Sequence, residues 1–93
     1  MRVAVRDNAI KIEIYSRPDC HLCGEAKEVI DRVRLRFPFL VRVINIETDP
    51  ELEKIYGEQV PVVFINGIKA FKYRVDEAEL EKRLKKLWKP STS

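Results

Sequence analysis

The sequence is poor in the residues that build ligand cages: 93 residues hold two cysteines, one histidine, one methionine and one tryptophan. A tetrahedral zinc site needs four ligands, so with Cys20, Cys23 and His21 as the only soft donors one chain cannot close such a site alone. Long apolar runs are missing too. The longest, Val60 to Ile65, covers six residues, against the ~20 a membrane-spanning helix requires. Met1 to Asp7 carry charges where a secretory signal would need its apolar centre, which argues against export and for a cytoplasmic protein with no membrane partner. Nor is one sign of charge in large excess. Eighteen Lys and Arg against 15 Asp and Glu leave +3, too little to point to nucleic acid. Basic residues gather between Lys69 and Lys89 and acidic ones between Asn45 and Glu58, which reads as solvated helix faces. Few amides beside many Glu, Lys and Arg resemble a thermophile's usage.

What is present suits one small domain. The chain is 45% hydrophobic and 35% charged, a balance that excludes both a disordered tail and a membrane protein. Residues 1–9 show no clear period and read as an N-terminal extension able to add edge pairing; 10–89 form the domain, and 90–93 a frayed tail. Ile10, Ile12 and Ile14 alternate with Lys11, Glu13 and Tyr15, the period of a strand with two distinct faces. Leu22, Ala26, Val29, Ile30, Val33 and Phe37 recur at helical spacing, predicting a helix from about Cys20 to Arg36 that Pro38 ends. Val41, Val43, Ile44 and Ile46 make a second strand, parallel to the first across the helical crossover.

Thr48 or Asp49 caps a short helix with Pro50 in its first turn, Leu52, Ile55 and Tyr56 on its apolar side, and Gly57 closing it in the left-handed conformation. Asn66-Gly67 between Val62–Ile65 and Ile68–Tyr73 marks a hairpin, since both turn positions need positive φ. Asp76 caps a last helix, with Glu79 reaching back, Val75 stapled to Leu80, and Leu80, Leu84, Leu87 and Trp88 inward. The order β-α-β, helix, hairpin, helix predicts an α/β domain: a four-stranded mixed sheet with helices for both faces.

The only cysteines form Cys20-His21-Leu22-Cys23, directly after a strand and opening a helix. Unpaired N–H groups and the positive dipole end at a helix start favour thiolate, which makes Cys20 the candidate nucleophile. Cys23, one turn on, is placed to attack a mixed disulfide on Cys20 and release the substrate as a thiol. A C-x-x-C in a β-α-β context reads as a thioredoxin-like redox motif. His21 as imidazolium would stabilise thiolate, and Arg17 would add positive charge or bind a substrate carboxylate through its fork. Three other readings use the same residues: two small buried hydrophobes, a metal or iron-sulfur site pooled between two chains, and a non-catalytic binding module.

The run Ile14 to Cys23, with Val60-Pro61 before Val62-Val63-Phe64 and Asn66-Gly67, resembles the glutaredoxin-like branch of the thioredoxin superfamily over roughly Lys11 to Leu84. The resemblance implies the thioredoxin-like fold with strand order 2-1-3-4, a cis peptide at Val60-Pro61 facing the dithiol, and substrate binding by Val60 and Pro61. It also matches Arg17 to a basic position that binds the glycine carboxylate of glutathione. The implied activity is dithiol-disulfide exchange with protein or small-molecule disulfides by a monomer, without an organic cofactor. An upstream reductant is implied too, with glutathione as a candidate. Leu22 stands where glutathione-using members carry tyrosine. Ala70 to Asp76 lacks the Gly-Gly and following Asp pair that hold the γ-glutamyl end.

Overall fold

In the computed structural model, which describes residues 10–88, the period-two run becomes β1 (Lys11–Ser16) at an inner position of the sheet. The expectations for 1–9 and 90–93 lie outside the described residues. Then come α1 (His21–Arg34), β2 (Leu40–Asn45), a 3-10 turn (Ile46–Thr48), α2 (Pro50–Tyr56), β3 (Val62–Ile65), β4 (Ile68–Lys72) and α3 (Glu77–Leu87). The sheet order is β2-β1-β3-β4, with β1 parallel to β2 and β3 antiparallel to both β1 and β4. This is the expected α/β architecture, a four-stranded mixed sheet with three helices.

Strand alternation sorts the two faces. Ile12 and Ile14 are buried in one core with Ala26, Ile30 and Val33 of α1, Val63 and Ile65 of β3, and Leu80 and Leu84 of α3. Each Ile, Val and Leu among them contributes roughly 1.5–3 kcal/mol when fully buried. Tyr15, the next residue along β1, joins a smaller cluster with Leu52 and Tyr56 of α2. Arg32 and Arg36 pair with Glu77 across α1 and α3, and Arg36 also with Glu81. These pairs are solvent-facing and orient the helices more than they stabilise them.

Several boundaries and orientations differ from the sequence reading. α1 ends at Arg34, where 3-10-type bonds from Leu35 to Arg32 and Arg36 to Val33 tighten the last turn before Pro38. Ile46 is fully buried but opens the 3-10 turn rather than extending β2. Asp49, not Thr48, caps α2, accepting from the Glu51 N–H at 2.9 Å; Thr48 donates to the Asn45 carbonyl. Ile55 is exposed, because a seven-residue helix buries too narrow a stripe for three apolar positions. Asp76 caps α3 as expected, but the Glu79 carboxylate pairs with Arg83. Leu87 and Trp88 are 39% and 48% exposed at the end of α3, where Leu87 borders an open groove with Ile65 and Ile68. The hairpin turn is as predicted, with Asn66 at φ 51° and Gly67 at φ 82°.

Gly57 is the instructive exception. Its φ of −49° and ψ of −36° are right-handed, so the left-handed closure expected of it does not form. A Cβ there would instead lie 2.5 Å from the Glu53 carbonyl oxygen and 3.1 Å from Arg17 Nη2. Close approach is what the position demands.

Candidate active site

β1 delivers the chain to Ser16, and the short turn after it places Cys20 as the N-cap of α1, with φ −97° and ψ 115°. Cysteine thus occupies the position that Ser, Thr or Asp usually fills, and its Sγ accepts the Cys23 N–H at 3.1 Å. The first turn of α1 carries no acidic side chain to offset the positive end. The turn itself is closed by the Cys20 N–H donating to the Arg17 carbonyl at 3.3 Å. Both cysteines are free; Cys20 is half-buried and Cys23 buried.

Cys23 lies in the smaller cluster with Ile46 and Val60, against which Tyr15, Cys20, Leu52 and Tyr56 pack. Val60, 37 residues after Cys23 in sequence, therefore meets the dithiol side chains through the fold alone. The Val60-Pro61 peptide is cis, as the resemblance implies, and the Pro61 carbonyl accepts the Tyr73 N–H at 2.8 Å. Beneath, Tyr15 and Tyr56 stack with centroids 4.8 Å apart, and Phe64 sits edge-on to both. On the other side of α1, a groove of about 310 Å³ runs between Leu22, Ala26 and Val29 and the segment Tyr73 to Asp76.

The two predicted cations lie elsewhere than at a free dithiol. His21 is 88% exposed, with Nε2 2.9 Å from Glu25 Oε2 one turn on. Arg17 turns to α2: Nη1 donates to Glu53 Oε2 at 2.8 Å, Nη2 to the Gly57 carbonyl at 2.8 Å, and Glu47 Oε2 is 3.6 Å away. The hydrogen bond to Glu53, before any other cause, pushes the guanidinium further up from its ordinary value. Glu53, Glu47 and Gly57 were not legible as site residues, since nothing local ties them to a turn more than 25 residues earlier. The acidic run from Asn45 to Glu58 was the one available signal.

Burial pushes the Cys23 thiol up to about 11 from an ordinary 9.0, with the Cys20 hydrogen bond adding to the rise; the Arg17 main chain and its charge oppose it. A raised folded-state value means that this group's stabilising contribution is complete below about 9 and is lost as pH climbs through about 11. Reduced protein is therefore expected to lose stability over that window relative to Cys23→Ser, in which Lys and Tyr titrations are unchanged. Urea unfolding of both at pH 8 and pH 11 measures the difference; a constant gap would show that Cys23 is not held as the thiol.

A family described as Glutaredoxin-like domain (DUF836) matches residues 11–85. The chain belongs to this family. Among its relatives, a glutaredoxin-like protein of Dictyostelium discoideum, a YDR286C homolog, is 39% identical over 80 residues, covering 77% of this chain and 72% of that one. A thioredoxin of Methanocaldococcus jannaschii is 38% identical over 61 residues, 62% of this chain and 72% of its own. Of solved structures, Nitrosomonas europaea protein Ne2328 superposes with TM-score 0.71 at 28% identity, covering 82% of this chain and 92% of that one. An X. campestris structural-genomics target gives 0.68 at 29%, with 81% and 96% covered. The glutaredoxin-like, thioredoxin-type fold is thus shared with proteins of redox-type name. Among the described residues no helix is long and apolar enough to cross a membrane, and no three His, Cys, Asp or Glu cluster as metal ligands.

Proposed function

We propose that this glutaredoxin-like protein is a thiol-disulfide oxidoreductase that reduces disulfides by a dithiol route. The observation that carries the reading is the Cys20 sulfur at the N-cap of α1, accepting the Cys23 N–H with Cys23 itself one turn behind. In the reaction, Cys20 thiolate attacks a substrate disulfide, forming a mixed disulfide and expelling one substrate thiolate, which takes up a proton. Cys23 then gives up its proton and attacks the Cys20 sulfur; the intramolecular disulfide forms and the second substrate thiol leaves. Two electrons pass from the dithiol to the substrate. An upstream thiol reductant returns them, with glutathione a candidate for that role only.

Val60 and Pro61, beside the dithiol, position the bound substrate segment. The groove beside Leu22 is lined by Glu25, Arg74 and Asp76 as well as by Ala26, Val29 and Val75; Leu22 and the run Ala70 to Asp76 replace the residues that hold glutathione in glutathione-using members, which favours protein disulfides as substrates. The reading places the protein in the cytoplasm as a monomer. In this reading His21, turned to solvent and paired with Glu25, is the candidate for tuning the Cys20 thiolate.

Oxidation is expected to link Cys20 to Cys23 within one chain, since the described residues hold no other cysteine and the pair shares one helical turn. Mass spectrometry of the oxidised protein should give the monomer mass less two hydrogens, and the reduced protein should reduce insulin disulfides. A covalent dimer as the main product, or no insulin reduction, would return the chain to the binding-module reading.

A further inference from the structure

Tyr73 holds a backbone conformation that its side chain disfavours. Its φ is 70°, in the left-handed region that glycine enters freely and a bulky residue enters only at a cost. Two main-chain hydrogen bonds keep it there. Its own N–H donates to the Pro61 carbonyl at 2.8 Å, and across it the Arg74 N–H donates to the Lys72 carbonyl at 2.8 Å, closing a three-residue γ-turn of the rare positive-φ form. The other positive-φ residues among those described, Asn66 and Gly67, lie in a hairpin turn that asks for them. Glycine would make the turn at 73 without strain, yet the chain has tyrosine there.

Packing does not offset the strain. The residue is 43% exposed and belongs to neither buried cluster; the Lys72 ammonium, 5.4 Å from the ring centroid, contributes little at an exposed site. What Tyr73 does line is the groove of about 310 Å³ whose opposite wall is Leu22, Ala26 and Val29 of α1. Leu22 stands between Cys20 and Cys23, and Pro61, whose carbonyl fixes Tyr73, follows Val60 of the dithiol cluster. The groove therefore begins at the residues that flank the dithiol. Its two carboxylates are engaged within the chain, Glu25 with His21 and Asp76 with the Glu79 N–H, which leaves Arg74 as the remaining charged lining residue. Leu22, Val29, Tyr73 and Val75 then present a substrate with a mainly apolar seat. Its size is at the low end of ligand clefts, about 300–1,000 Å³, and suits one bulky side chain.

We propose that Tyr73 is a specificity-determining residue: held at positive φ, its ring completes a seat for an apolar side chain next to the half-cystine of a protein disulfide while that half-cystine is joined to Cys20. The proposal rests on the dithiol reading above and names the substrate class within it. The step concerned is the first exchange. Cys20 thiolate attacks one substrate sulfur; the Cys20–substrate bond forms as the substrate's own S–S bond breaks, and the second substrate sulfur leaves as thiolate. An apolar neighbour settling between Tyr73 and Leu22 as that bond forms takes apolar surface out of water, so disulfides that carry one are attacked faster. Strain of this kind persists at ligand clamps, where the surrounding hydrogen bonds over-determine the backbone.

The test uses the full reduced chain with Tyr73→Phe, Tyr73→Ala and Tyr73→Gly. The probes are two synthetic cysteine peptides, one with leucine and one with serine on both sides of the cysteine, each joined through a disulfide to thionitrobenzoate. Attack on the peptide sulfur releases the coloured thiolate, whose second-order rate of appearance is read. Wild type is expected to take the leucine peptide about tenfold faster than the serine peptide. Tyr73→Ala and Tyr73→Gly should bring that ratio below about threefold by losing rate on the leucine peptide, and Tyr73→Phe, which keeps the ring, should hold the wild-type ratio. Thermal melts read the strain separately: both small residues lack the ring and only glycine is free of the φ cost, so Tyr73→Gly should melt roughly 4–8 °C above Tyr73→Ala. A wild-type ratio retained in Tyr73→Ala and Tyr73→Gly overturns the proposal, as does a glycine variant that melts no higher than the alanine one. Wild type that releases colour from both peptides at equal rates ends the proposal alone; wild type that releases none from either ends the dithiol reading and the proposal with it.

Discussion

Cys23→Ser is expected to abolish catalytic reduction of insulin disulfides while leaving Cys20 able to make its first attack, so that substrates accumulate on Cys20 as mixed disulfides. Cys20→Ser should remove activity altogether. The asymmetry follows from position. Cys20 caps α1 half-exposed, where a disulfide can reach it, whereas Cys23 is buried among Ile46, Val60 and Leu52 and attacks only the Cys20 sulfur, once that sulfur is bonded to substrate. Serine cannot complete thiol-disulfide exchange, so turnover should fall by two orders of magnitude or more, on the order of what loss of a covalent step costs. Gel shift of the trapped species, reversed by dithiothreitol, measures it.

Glutathionylated substrates provide the contrasting arm. A monothiol route needs only Cys20 and a second glutathione, so there Cys23→Ser would keep most activity. Leu22 in place of tyrosine and the absence of Gly-Gly in Ala70 to Asp76 lead us to expect slow deglutathionylation by both wild type and variant. Rapid deglutathionylation by Cys23→Ser would move the protein to the glutathione-dependent members of its family.

Ile30→Ala should produce the largest loss of stability among single truncations away from the dithiol. Ile30 is fully buried between the sheet and the paired helices, in the same cluster as Ile12, Ile14, Val63 and Leu80. Removing its three outer carbons costs the transfer free energy plus the cavity left behind, about 2–5 kcal/mol. Against a total stability of about 5–15 kcal/mol for such domains, that corresponds to a melting temperature lower by roughly 10–30 °C. Ile55→Ala, at a 52% exposed position of α2, provides the control and should shift stability by no more than about 0.5 kcal/mol. Thermal melts by circular dichroism compare the two, and equal shifts would mean that the packing described around Ile30 is not what holds the sheet to its helices.

The elements most legible in the sequence were those whose signals are local. The alternation through Ile12 and Ile14, the helical recurrence of Ala26, Ile30 and Val33, the Asp49 and Asp76 caps and the Asn66-Gly67 turn each depend on neighbours within one or two turns of chain. The same holds for Cys20-His21-Leu22-Cys23, whose chemistry follows from standing at a helix start. The crossover rule and the hairpin gave a mixed four-stranded sheet, and strand order 2-1-3-4 came from the family resemblance. What only the tertiary structure decided is which distant groups satisfy one another. Arg17 looked free because Glu53 competes with many other carboxylates of equal local standing, and the fold selects it by bringing the end of α2 to the turn before Cys20. Gly57 was read by its conformational freedom, whereas its role is set by the atoms that crowd it. Leu87 and Trp88 looked like core by helical period, but burial also needs a surface packed against the side chain, and Leu87 faces an open groove beside Ile65 and Ile68. Period and capping are written in the chain; partner choice and the extent of each buried face belong to the packed whole.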